Sequence, residues 1–178
     1  MRRSLWRLGA PRRLLLSGSL LTAVLVGSPA FSHQFSAPTD VIYAAGALVS
    51  VQPDTATVEA GSTVLVAIAL DAPEGSIGAW TVDVAYDPAV VRPLACVSIV
   101  DAAAALCSIN PGDGAAIVRA IGAAASGIGS TSLARITFEA VGVPGATSAL
   151  TITVSTMANT EGDDLGADAV NGSVTIAG

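Results

Sequence analysis

Side chains able to do covalent chemistry are scarce in this chain. It holds a single histidine, His33, no lysine at all, and two cysteines, Cys96 and Cys107. Nucleophilic catalysis by Ser, Thr or Cys needs a base beside the nucleophile. His33 falls in an N-terminal leader stretch, so the familiar triads are excluded. Fourteen Asp and Glu leave room for the paired carboxylates of glycoside cleavage. Yet Asp54, Asp71, Glu74, Asp87 and Asp113 flank turns, where Asp hydrogen-bonds the local backbone. The sequence reads as that of a non-enzyme.

The densest acidic stretch is Asn159, Glu161, Asp163, Asp164 and Asp168, whose oxygens suit a hard cation such as Ca²⁺. It fails as an EF-hand loop. The sixth residue from Asn159 is Asp164 where that loop turns on Gly, and the twelfth is Val170 where it needs Glu. Two readings stay open: an irregular surface Ca²⁺ site built on Asp163 and Asp164, or a solvated acidic loop. No other cofactor is expected. Two thiols and one remote imidazole cannot complete a four-ligand metal site. Asn171-Gly172-Ser173 spells a glycosylation sequon, taken as coincidental in a terminal strand.

Charge is divided sharply along the chain. Five of the eight basic residues, all Arg, precede the first apolar run (Arg2, Arg3, Arg7, Arg12, Arg13), and the rest carries three Arg against every acid. So acidic a body repels phosphate backbones and anionic lipid, and neither nucleic acid nor a membrane surface is expected as partner. The apolar run Leu14 to Gly27 is shorter than the roughly 20 residues that cross a bilayer. Arg before it and Ser28-Pro29-Ala30 after it give the three parts of an export signal, with cleavage expected after Ala30. The rival reading is an uncleaved anchor. Residues 1–30 are therefore read as a signal peptide, 31–46 as a loose leader and 47–178 as one domain of a secreted protein. Export to an oxidising compartment makes a Cys96–Cys107 disulfide the expectation, with two buried free thiols as the alternative.

From Ala47 onward the dominant period is two. Val64, Val66, Ile68 and Leu70 alternate with smaller or polar residues, as a half-buried strand requires. Comparable runs recur at Leu48–Val51, Thr55–Val58, Ala79–Tyr86, Val90–Val97, Ala116–Ile121, Leu133–Val141, Leu150–Val154 and Gly172–Ile176. Gly, Pro, Asn and Asp clusters punctuate them. The pattern is that of an all-β, nine-stranded β-sandwich. Asp101–Leu106 reads either as one capped helical turn or as an Ala-rich loop.

Several segments, taken in order, carry a resemblance: Gly61-Ser62-Thr63-Val64; Ile77 to Val91, with Tyr86-Asp87-Pro88 closing an alternating strand; Leu133-Ala134-Arg135-Ile136-Thr137-Phe138; and Val170 to Ile176. Over about Ala47 to Ile176 the chain resembles a cohesin domain. The resemblance implies a jelly-roll sandwich that binds a dockerin-bearing protein, as cellulosome scaffolds do in polysaccharide degradation. It places the partner-binding surface on Ala79, Thr81, Asp83 and Ala85. Periodicity independently sets those four opposite Trp80, Val82, Val84 and Tyr86, whose bulk marks the core side. Where many cohesins carry an acidic or amide contact residue, this chain has Ala79 and Thr81, leaving Asp83 as the strand's one charge.

A second candidate strand face is Ile117, Arg119 and Ile121, an Arg between two apolar groups. The alternative turns Ile117 and Ile121 to the core and Val118 outward, with Arg119 snorkelling. Read to Gly178, the sequence carries one such module, which points to a single-module binder. Two other function classes stay open. Direct carbohydrate binding is weakened by the few aromatics, of which Trp80, Tyr86 and Phe138 fall in core-facing alternation; the other class is a structural or adhesive envelope module associating through strand edges.

Overall fold

The computed structural model describes residues 46–101, 104–112 and 114–178. Residues 1–30, read above as a signal peptide, and nearly all of the stretch read as a leader, His33 included, lie outside the described residues. Eleven strands form: β1 (Ala47–Gln52), β2 (Thr55–Val58), β3 (Thr63–Asp71), β4 (Ile77–Ala85), β5 (Val91–Ser98), β6 (Ala104–Ile109), β7 (Ile117–Ile128), β8 (Thr131–Ala140), β9 (Thr147–Ala158), β10 (Ala167–Val170) and β11 (Gly172–Ile176). They make two sheets, β10-β1-β3-β8-β5 and β2-β11-β9-β4-β7-β6. All nine expected strands are present, and β6 and β10 raise the count to eleven.

Both additions have a physical reason. β6 begins at Ala104, inside the Asp101–Leu106 stretch read as a helical turn or loop. Its Ala and Leu carry little strand preference of their own, and the strand is held by its antiparallel ladder to β7. In β10 no residue is fully buried, so no apolar alternation betrays it; its parallel pairing with β1 defines it.

Two of the crossings between the sheets lie at neighbouring places. β1 runs in the first sheet and β2 in the second, joined through Pro53 and Asp54; β10 and β11 do the same around Asn171. The two crossings lie side by side, giving the parallel pairs β1–β10 and β2–β11. Gly172 is required there, because a Cβ would sit 2.7 Å from Val51 Cγ1 and 2.9 Å from the Asp54 carbonyl. Asn171 accepts a hydrogen bond from the Ile152 amide (2.8 Å), so its carboxamide has a structural task within the sequon.

Aliphatic side chains from both inner faces fill the core, among them Val49, Ile68, Val82, Val84, Leu133, Ile136 and Leu150. Three aromatics anchor it. Trp80 and Phe138 are fully buried, and Tyr86 meets Phe138 edge to face at 5.6 Å between ring centres. The Tyr86 hydroxyl lies 2.7 Å from the Asn110 side-chain amide. With its nitrogen turned inward, that amide donates to Tyr86 Oη and to the carbonyls of Ala115 and Ile117. Tyr-Asp-Pro thus closes β4: Tyr86 enters the core, the Asp87 amide donates to buried Ser148 Oγ (2.9 Å), and Asp87 Oδ1 accepts from the Ala89 amide (2.8 Å) to turn the chain.

Trp80 imposes its own condition on the next strand. Gly122 of β7 is its cross-strand partner, and a Cβ at Gly122 would fall on the indole at Cζ2. Gly122→Ala should therefore lower unfolding stability by about 1–3 kcal/mol, the usual cost of overpacking. Urea denaturation followed by Trp80 emission measures it, and an unchanged midpoint would show that the indole has slack.

Candidate functional site

β4 lies in the middle of the six-stranded sheet, between β9 and β7. Its alternation is strict: Trp80, Val82, Val84 and Tyr86 are buried, while Ala79, Thr81, Asp83 and Ala85 point to the opposite, outer face. On β7, Val118 and Ala120 are buried and Ile117, Arg119 and Ile121 face out, Ile121 being 42% exposed. The reading that turned Val118 outward and the two Ile inward is corrected by this burial. The register then aligns the two candidate groups, Ala85 opposite Ile117, Asp83 opposite Arg119 and Thr81 opposite Ile121. Seven residues named from sequence on two separate strands form one contiguous surface.

Its centre is an ion pair. Arg119 Nε donates to Asp83 Oδ1 and Arg119 Nη2 to Asp83 Oδ2, both at 2.7 Å, the forked geometry that suits guanidinium and carboxylate. Side-chain exposure is 39% for Arg119 and 14% for Asp83. Hydrogen bonding to Asp83, with the attraction of its charge, raises the Arg119 pKa above its ordinary value, so the guanidinium stays charged at every accessible pH. The pair is open enough to meet a partner. It is also neutral as a unit.

Flanking strands extend the surface with residues the sequence reading did not single out. β6 adds Leu106 opposite Ile121 and Ser108 opposite Arg119; β9 adds Thr153 opposite Asp83 and Thr151 opposite Ala85. Leu106 is 70% exposed. The alternation Ala104, Leu106, Ser108 was the available signal, hidden because the segment read as helix or loop.

Cys96 and Cys107 are disulfide-bonded, with Cα atoms 5.5 Å apart. Cys96 belongs to β5 and Cys107 to β6, so the bond ties an edge strand of one sheet to an edge strand of the other. It closes the sandwich along the side where β6 carries Leu106 and Ser108.

The 159–168 loop is organised by its own hydrogen bonds. Asn159 Oδ1 accepts from the amides of Glu161 (3.0 Å) and Asp163 (2.8 Å), Asp163 Oδ2 accepts from Asn159 Nδ2 (3.0 Å), and Asp164 Oδ1 accepts from the Gly166 amide (2.9 Å). Among the described residues no group of three or more His, Cys, Asp or Glu converges as a metal site. Among the described residues the outer face carries no aromatic side chain, since Trp80, Tyr86 and Phe138 are all buried.

The sequence model of one protein family, the cohesin domain, matches residues 49–176. No curated protein matches the chain in sequence. Among solved structures the fold is similar to the seventh ScaB type I cohesin of Pseudobacteroides cellulosolvens (TM-score 0.63, 19% identity, covering 74% of this chain and 92% of that one). It is similar also to a non-cellulosomal cohesin from the hyperthermophilic archaeon Archaeoglobus fulgidus (0.60, 17% identity, 75% and 93%). A third similar structure belongs to a type I cohesin–dockerin complex from Clostridium thermocellum (0.61, 17% identity, 74% and 92%).

Replacing both cysteines by Ser should cost about 3 kcal/mol, the loop-closure value for so short a ring. Native mass spectrometry with thiol labelling checks the bond itself. Labelling before reduction, or an unshifted thermal midpoint in the double variant, would contradict it.

Proposed function

The chain belongs to the cohesin family, whose members are non-catalytic protein-binding modules, and on that premise we propose that the outer face of β9, β4, β7 and β6 captures a dockerin-bearing partner. The observation that carries this reading is the register of β4 against β7, which brings Ala79, Thr81, Asp83 and Ala85 alongside Ile117, Arg119 and Ile121 in one open face. A sheet face of this kind offers a firm, preorganised platform, so little ordering entropy is lost on binding. The Asp83–Arg119 pair supplies direction: its two charges must be met in the right order, which sets partner orientation more than affinity. Apolar groups to one side of it, among them Leu106 and Ile121, supply the area that leaves water.

Residues 1–30 read as an export signal, so the protein works outside the cell, in an oxidising setting that suits the Cys96–Cys107 bond. There it would join a dockerin-tagged protein, such as a polysaccharide-degrading enzyme, to whatever this chain is attached to. Direct sugar binding is the less favoured class. Sheet-face sugar sites rely on exposed aromatic rings, and every aromatic among the described residues is buried.

Thr81→Arg with Asp83→Arg should abolish capture of dockerin-bearing proteins in titration calorimetry while leaving the folded spectrum intact, since both side chains lie on the outer face of β4 and not in the core, and the second substitution replaces the Asp83–Arg119 pair with two facing Arg. Undiminished capture would place the interface elsewhere. Binding of the unmodified chain to insoluble cellulose or xylan, with no dockerin bound, would instead favour the carbohydrate class.

A further inference from the structure

The outer face is chemically two-sided. Around the ion pair, Ser108, Thr151 and Thr153 make it polar. Toward the start of β4 it becomes a trough whose lining includes Ala79, Ala104, Leu106, Ile121 and Ala123, none of which has a polar side-chain atom. Between Ile121 and Ala123 the floor is the backbone of Gly122. One wall is the 159–162 loop, which can approach β4 only because residue 78 is Gly: a Cβ there would sit 2.5 Å from the Asn159 carbonyl oxygen. That wall brings Glu161 to the rim.

Charge separates the two halves further. The salt bridges among the described residues are Arg92–Glu139 and Arg119–Asp83, so Glu161 has no cationic partner there. Arg119 is matched by Asp83, so the charge left without a cation beside the apolar floor is the Glu161 carboxylate, whose Oε2 accepts from Thr160 Oγ1 (2.9 Å). A hydroxyl or amide seated on Ala79, Ala123 and Ile121 would give up water without gaining a partner. A bulky apolar side chain would fit the floor left by small residues, and a cation beside it would meet Glu161.

Resting on the reading of this face as a dockerin socket, we propose that the trough selects a partner helix carrying one large apolar residue, with Lys or Arg one helical turn away over Glu161. A helix is the element that lies across the middle of a sheet face, since an added strand pairs only at an edge. Residues three or four apart share a helix face, so the apolar knob and the cation can be presented together.

The test is selection from a phage-displayed dockerin scaffold, randomised at its exposed helix positions, on the purified full chain. Enriched clones should carry Leu, Ile, Met, Phe or Trp at one position and Lys or Arg three or four residues away. Their affinity should fall roughly tenfold or more on the chain bearing Ala123→Glu, the scale of a lost central contact. It should fall less, with a weaker salt dependence, on Glu161→Gln. Leu106→Ser, at a site 70% exposed, serves as a second variant should Ala123→Glu fold poorly. Enriched clones that present Ser, Thr or Asn to the face, or that bind these variants undiminished, overturn the trough assignment and leave the socket reading standing. A pool yielding no binder overturns the socket reading, and the trough assignment with it.

Discussion

Everything on the outer face of the six-stranded sheet follows from the side to which Trp80 points. β4 is flanked on both edges, so its pleat is imposed on β7 and β9 by two ladders at once. With the indole inside, Val82, Val84 and Tyr86 must follow it, and Asp83 must face out. A slip of one residue would bury Asp83 and expose the indole, exchanging every favourable contact of the strand for an unfavourable one. Gly122 completes the constraint from the neighbouring strand, because only a residue without Cβ can sit across from the ring. The Asp83–Arg119 pair is therefore a consequence of core packing, placed by the register that the indole and its glycine enforce.

How the sandwich manages its edges explains why so much of this face stays free. Edge strands β2 and β10 have four residues each, too short to template much pairing. The other two edges, β5 and β6, lie on the same side and are joined by Cys96–Cys107. β6 needs that tie. It has a ladder only to β7, and its inward residues Ala105, Cys107 and Ile109 are merely half-buried. Leu106 is thus carried on a strand whose position rests on a covalent bond as much as on burial.

Legibility in the sequence tracked the strength of the local alternation. β4 was readable because bulky and small residues alternate without exception from Trp80 to Tyr86. The disulfide was readable from two cysteines and an export leader. β6 was not, since Ala and Leu suit helix, loop or strand and only the partner strand decides among them. β10 was not, since exposed residues leave no apolar period. The orientation of β7 stayed open because Ile117, Val118 and Ile121 are all apolar, and the fact that settles it, full burial of Val118 against Trp80's layer, is tertiary. The ion pair links residues 36 apart in the chain, a separation that carries no local signal. Glu161 stood out only as a charge; its place at the trough depends on Gly78 letting the loop in.

A neutral, forked ion pair at the middle of a face does particular work when the apolar area lies to one side of it. Its two charges already satisfy each other, so a partner gains little net attraction from them and must match their order to avoid leaving either one desolvated and unpaired. Affinity has then to come from apolar area, and on this face that area is concentrated at the trough beside Leu106 and Ile121. The division follows from composition. A core of aliphatic side chains with three aromatics takes up every ring among the described residues, so the apolar part of the outer face has aliphatic side chains alone with which to make a hot spot. Shape at the trough and charge order at the pair are the two means of discrimination left to it.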